Sequence, residues 1–155
     1  MGSPTPQPTR VGSSMRGPEE TLRDLVRHWL LHAEEDFLVA QELMERDRLS
    51  YNPVGFHAQQ SAEKFLKALL TRHGVAFPKT HSIRILLELA IPALPDLYDR
   101  LQHAHTLTPY GVEIRYPREG PRLNREEGAE AVRLATNVRT EVLSRLDEYL
   151  RGGRT

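Results

Sequence analysis

Arg115, Tyr116 and Pro117 stand in a stretch from Thr106 to Leu123 that carries three prolines and two glycines. A guanidinium fork matches the geometry of a phosphate. A phenol ring can stack on a base, and a proline fixes the bend between them. The same residues also fit a loop clamp, with Arg115 holding backbone carbonyls and Tyr116 covering the core. Lys64 and Lys67 belong to a polar row with Gln60 and Glu63, and either ammonium can meet a phosphate. Glu63 and Lys67 equally read as a favourably ordered i, i+4 surface pair, worth a few tenths of a kcal/mol. His81 has the side chain for proton transfer near neutral pH, and a local structural role at a helix start suits it as well. The candidate catalytic residues are therefore Arg115, Tyr116 and His81. The candidate ligand-binding residues are Lys64, Lys67 and Arg115.

Other chemistries lack their residues. There is no cysteine, which excludes disulfides and thiolate metal sites. The seven histidines, His103 and His105 among them, show no metal-ligand spacing, so neither metal nor cofactor is expected. No phosphate-cradling glycine motif occurs. Gly12-Ser13 lacks a following Asp-x-Asp, so the nucleotidyltransferase signature is missing as well. Lys plus Arg equals Asp plus Glu, 21 each, so net charge makes no argument for nucleic acid. Apolar residues are 39% of the chain, enough for a core, but no run approaches the ~20 that a membrane span needs. The N-terminus has no apolar segment of the secretory kind, so a cytoplasmic protein is the expectation.

The elements that must position these residues read as helices. Residues 1–18, with four prolines, three glycines and three serines, read as a disordered extension. Residues 19–151 read as one domain. From Glu19 to Arg48 an apolar face runs through Leu22, Leu25, Val26, Trp29, Ala33, Phe37, Ala40, Leu43 and Met44. Asp36 falls close to it and calls for a basic partner from another helix. Tyr51-Asn52-Pro53 breaks the pattern. A second helix spans about 54–73, with Phe56, Ala58, Ala62, Phe65, Leu66 and Leu69 as its buried stripe and Gly74 as its cap. On that helix Gln59 and Gln60 are placed to satisfy inter-helix hydrogen bonds.

A third helix starts at the N-cap candidate Thr80 and carries Ile83, Leu86, Leu87 and Ala90. A short piece from Asp96 to His105 follows. Asn124 with Glu127 has the form of a capping box, ahead of a final stripe from Val132 to Leu150. No segment alternates as a strand does. The expectation is an all-α, antiparallel four- to five-helix up-and-down bundle. Leu30, Leu31, Leu38 and Val39 lie off the main stripe of the first helix, which predicts a second apolar face and a homodimer.

Four segments, in order, carry a resemblance. They are Ala33-Glu34-Glu35-Asp36-Phe37-Leu38-Val39-Ala40, Gly55 through Ala68, Thr80-His81-Ser82-Ile83, and Arg115-Tyr116-Pro117. Together they resemble the HEPN domain family over roughly residues 20–150. The resemblance implies a helical bundle, dimerisation and a nucleotide- or RNA-related role. It also implies a minimal nucleotidyltransferase partner, with which such proteins form toxin–antitoxin pairs. In those pairs the toxin is typically a metal-independent RNase, and the partner can silence it by adenylylating a tyrosine. Tyr116 is then the modification candidate. RNase members carry Arg-x4-6-His, in which the cation meets the phosphate and the imidazole moves a proton from a 2′-hydroxyl. Arg115 has no such histidine. The spacing does occur at Arg23/His28, Arg27/His32 and Arg100/His105. A non-catalytic interaction or adaptor bundle is the alternative.

Overall fold

The computed structural model of the chain describes residues 2–5, 17–113 and 122–152. Its long elements are α1 (Pro18–Met44), α2 (Asn52–Arg72), α3 (Ile83–Ala90) and, closing the chain, α6 (Arg125–Leu150). Between α3 and α6 lie α4 (Leu97–Leu101), a 3-10 helix (Gln102–Leu107) and α5 (Tyr110–Glu113). No strand occurs among the described residues. The all-α antiparallel bundle expected from the periodicity is the fold observed.

Helix α1 starts where the sequence marks it. Pro18 occupies the first turn, where its missing N–H is not needed, and Glu19 and Glu20 favour the positive helix end. Its buried side is Val26, Leu30, Ala33, Phe37 and Ala40, alternating steps of four and three. This corrects the expected stripe at two positions. Leu30 belongs to the core, and Leu25 points outward. Of the four residues proposed for a second face, only Leu31 and Leu38 are well exposed, at 58% and 54%; Val39 is half-buried.

Helix α2 is the centre of the bundle and packs against α1, α6, α3 and α5. Phe65, Leu66 and Leu69 are fully enclosed. Each such side chain contributes roughly 1.5–3 kcal/mol by leaving water. Phe56, expected in the buried stripe, is half-buried instead. Gly74, at φ +68°, ends the helix in the left-handed conformation that glycine adopts without strain.

Directions follow from which ends meet. Trp29 of α1 meets Lys67 of α2, and Asp36, further along α1, meets Lys64 and His57, earlier in α2, so the two run antiparallel. Tyr149 at the end of α6 lies under Arg72 of α2, so α6 runs parallel to α2. At the start of α6, Asn124 Oδ1 accepts from the Glu127 N–H while Glu127 Oε1 accepts from the Asn124 N–H, the expected capping box.

Two boundaries differ from expectation. Ser82, not Thr80, caps α3, accepting from the Ile85 N–H; Thr80 Oγ1 accepts from the Ser82 N–H one turn earlier. The expected loop from Thr106 onward also begins with helical structure. Tertiary packing explains it. Gly111 of α5 sits so close to α2 that a Cβ there would fall 2.4 Å from Gln59 Oε1. The absent side chain lets the α5 turn dock directly on α2.

Candidate functional site

Two clusters of the same construction line α2. In the first, Asp36 of α1 faces α2 with its side chain 14% exposed. Lys64 Nζ donates to Asp36 Oδ2 at 2.5 Å, and His57 Nδ1 lies 2.9 Å from Oδ1. The basic partner expected for Asp36 is thus two partners, seven residues apart on one face of α2. The His57 ring meets the neighbouring Phe56 ring edge-on, centroids 5.1 Å apart.

In the second cluster Glu63 takes the central place. Its side chain is 4% exposed and that of Lys67 is 9% exposed, so the pair is buried and the reading of it as a surface pair is corrected. Lys67 Nζ stands 3.6 Å from Glu63 Oε2. His81 Nδ1 lies 2.6 Å from Glu63 Oε1. The aromatic rings of Trp29 and Phe77 flank the Lys67 ammonium, with centroids 5.6 and 5.7 Å away. Cation–π attraction therefore offsets part of its lost hydration.

Glutamines tie this cluster to α3. Gln59, fully buried, donates from Nε2 to the main-chain carbonyl of His81 at 3.2 Å. Gln60 Nε2 donates to Gln59 Oε1 at 2.6 Å. Gln59 has the hydrogen bond to another element that was expected of it, whereas Gln60 bonds to its neighbour within α2 and not to another helix. The His81 ring itself stays 58% exposed, over a carboxylate that is not. Burial of an ion pair is costly unless its members are mutually satisfied. Here each carboxylate meets one lysine and one histidine.

The structure thus brings Lys64, Lys67 and His81 onto adjoining surfaces of α2 and the entry to α3. Arg115, Tyr116 and Pro117 lie outside the described residues. Two contributors were not foreseen from the sequence: His57, and Glu63 as the buried partner of His81. The signals were present as spacing. His57 and Lys64 share a face at i, i+7, and Gln59, Glu63 and Lys67 share another at i, i+4, i+8.

The three Arg-x4-His spacings do not form a site of this kind. Arg100 is bound to Glu141 at 2.9 Å and to Asp96 at 3.4 Å. Arg23 stacks over the Tyr149 ring, and Arg27 donates to the Leu150 carbonyl. His28 and His32 contact each other edge-on. Elsewhere, His73 at the end of α2 has its pKa held below 6.5, first by burial and then by the nearby Arg72 and Arg145. Among the described residues no group of three acids or histidines is arranged to hold a metal ion. None of their helices is long and apolar enough to cross a membrane.

No curated protein and no solved structure matches the chain. The model of the HEPN domain matches residues 26–146, from the first buried residue of α1 to the last turns of α6. Both carboxylate clusters lie within that span, and over it the chain belongs to the HEPN domain family.

Proposed function

We propose that this HEPN-like chain binds nucleotide or single-stranded RNA along α2, works as a homodimer in the cytoplasm, and is the HEPN half of a module with a minimal nucleotidyltransferase. The observation that carries the binding role is the concentration of ionisable groups on the exposed margin of the most buried helix. His57, Lys64 and His81 are each oriented by a carboxylate. Such groups are held in place before a ligand arrives, so ordering them costs little on binding. Lys64 has N–H donors beyond the one given to Asp36, and half-buried Phe56 offers a ring for base stacking. Arg115 supplies a further phosphate contact. Tyr116 supplies a stacking face or the acceptor hydroxyl for adenylylation by the partner.

The homodimer rests on Leu31 and Leu38, two turns apart on the outer side of α1. They border a shallow hollow lined also by Phe37, Gln41 and the Glu34–Arg139 ion pair. An apolar strip with a charged rim is the usual make-up of a subunit contact.

A fluorescence-anisotropy titration with a labelled oligoribonucleotide tests the binding role. Saturable binding that weakens as salt rises is expected. Absence of binding in low salt would sink it. The module is tested by co-purification with the nucleotidyltransferase encoded by the neighbouring gene; the lack of such a gene or complex would overturn that part alone.

A further inference from the structure

His81 combines two properties. Its ring is exposed, yet one ring nitrogen is fixed by a buried carboxylate at 2.6 Å. Glu63 meets the Lys67 ammonium through its other oxygen, and a carboxylate only accepts. The hydrogen between Glu63 and His81 therefore lies on Nδ1. A neutral imidazole with its hydrogen on Nδ1 presents Nε2 as a bare acceptor. The backbone of His81 is held as well, through its carbonyl and Gln59. His57 repeats the arrangement with Asp36 and Lys64 on the neighbouring surface, so a carboxylate-oriented histidine is a theme of this face.

A fixed acceptor discriminates between ligands that have a donor and ligands that lack one. RNA and DNA differ here at one group. The ribose 2′-hydroxyl can donate to Nε2, and deoxyribose has no hydrogen to offer. Donors on the bases are shared by both and cancel from the comparison. We propose that His81, positioned by Glu63, is the residue by which this face selects RNA over DNA, accepting from a ribose 2′-hydroxyl at Nε2. The inference rests on the nucleic-acid reading above and adds to it a specificity determinant.

The test compares labelled single strands of one sequence as RNA, DNA and 2′-O-methyl RNA, by anisotropy on the full chain. The methyl ether keeps the oxygen and loses the hydrogen. The wild type should bind RNA about three- to tenfold more tightly than either analogue, the span of one neutral hydrogen bond. His81→Phe should bring the three affinities together, the affinity for RNA falling to that for the analogues, with only a small shift of the melting curve because the ring is mostly exposed. Glu63→Gln should lower the preference too, because an amide can donate and so release the tautomer. A positioning role also has a readout without nucleic acid: nitrogen NMR of the imidazole should place the hydrogen on Nδ1 in the wild type.

Equal binding of RNA and DNA by the wild type would overturn the proposal and leave the nucleic-acid reading standing. A preference that survives His81→Phe, or an imidazole with its hydrogen on Nε2, would overturn it as well. Failure to bind either nucleic acid would remove both readings together.

Discussion

Glu63 on the inner side of α2 and His81 just ahead of α3 are joined through Oε1 and Nδ1 at 2.6 Å, across 18 residues of sequence. The contact couples a group at the centre of the bundle to one on its surface. It makes the two ends of the interaction unequal in consequence. Glu63 also neutralises buried Lys67, whereas His81 is largely in water.

Glu63→Ala is therefore expected to destabilise the fold by about 3–5 kcal/mol, because it strands a buried ammonium. His81→Ala should cost less than about 1 kcal/mol. The double variant Glu63→Leu/Lys67→Met should recover most of the loss, since it removes both charges. Urea unfolding of the variants measures all three. A Glu63→Ala loss no larger than that of His81→Ala would show that the Lys67 ammonium does not depend on Glu63.

Gly111→Ala places a methyl 2.4 Å from Gln59 Oε1 and 2.7 Å from its amide carbon. Gln59 must then move away from the His81 carbonyl. A loss of roughly 1–3 kcal/mol is expected from the unsatisfied buried amide. Thermal melts with amide hydrogen exchange at the start of α3 would register it, and a neutral outcome would mean that α5 can lift off α2 freely.

Arg115→Ala should weaken binding of an oligoribonucleotide about ten- to a hundredfold, the loss of a charge-assisted contact of roughly 1.5–3 kcal/mol. The melting temperature should hardly change. Normal binding combined with melting several degrees earlier would identify Arg115 as a structural clamp.

Replacing Leu31 and Leu38 together by Glu should convert a dimer to a monomer in light scattering, because charge on an apolar contact opposes burial. Both side chains are already more than half exposed, so the monomer should stay folded. A wild type that scatters as a monomer at micromolar concentration would end the homodimer reading.

The pH profile of stability should carry a contribution from His73. Its folded pKa is depressed below 6.5, so the folded state disfavours the proton that the unfolded chain accepts. That contribution is present above about pH 6.5 and is lost as pH falls through the folded pKa. Asp96 is depressed below 3.8 by its hydrogen bonds to Arg145, so its contribution fades only at far lower pH. Melts of His73→Gln between neutral and mildly acidic pH should decline less than those of the wild type. Parallel curves would assign the decline to other groups.

Periodicity was sufficient to place the long helices, because amphipathic spacing reports which residues of a helix leave water, but not α5, which packing on α2 decides. The capping box at Asn124 and Glu127 and the stop at Gly74 were equally local, being set by residues within one turn. The need of Asp36 for a basic partner was also visible, since a carboxylate near an apolar stripe must be neutralised. Which base would supply it was not: His57 and Lys64 reach it only once α1 and α2 lie antiparallel. The same holds for Glu63 and Lys67. On an isolated helix their spacing is that of a surface pair. Burial came from α2 being enclosed by α1, α3, α5 and α6 at once, a property of the assembled bundle and not of any window of sequence. Leu25 and Leu30 exchanged places with respect to expectation for a related reason. Two apolar faces on one helix are equivalent until a neighbour covers one of them, and the position of the neighbouring helices decided which.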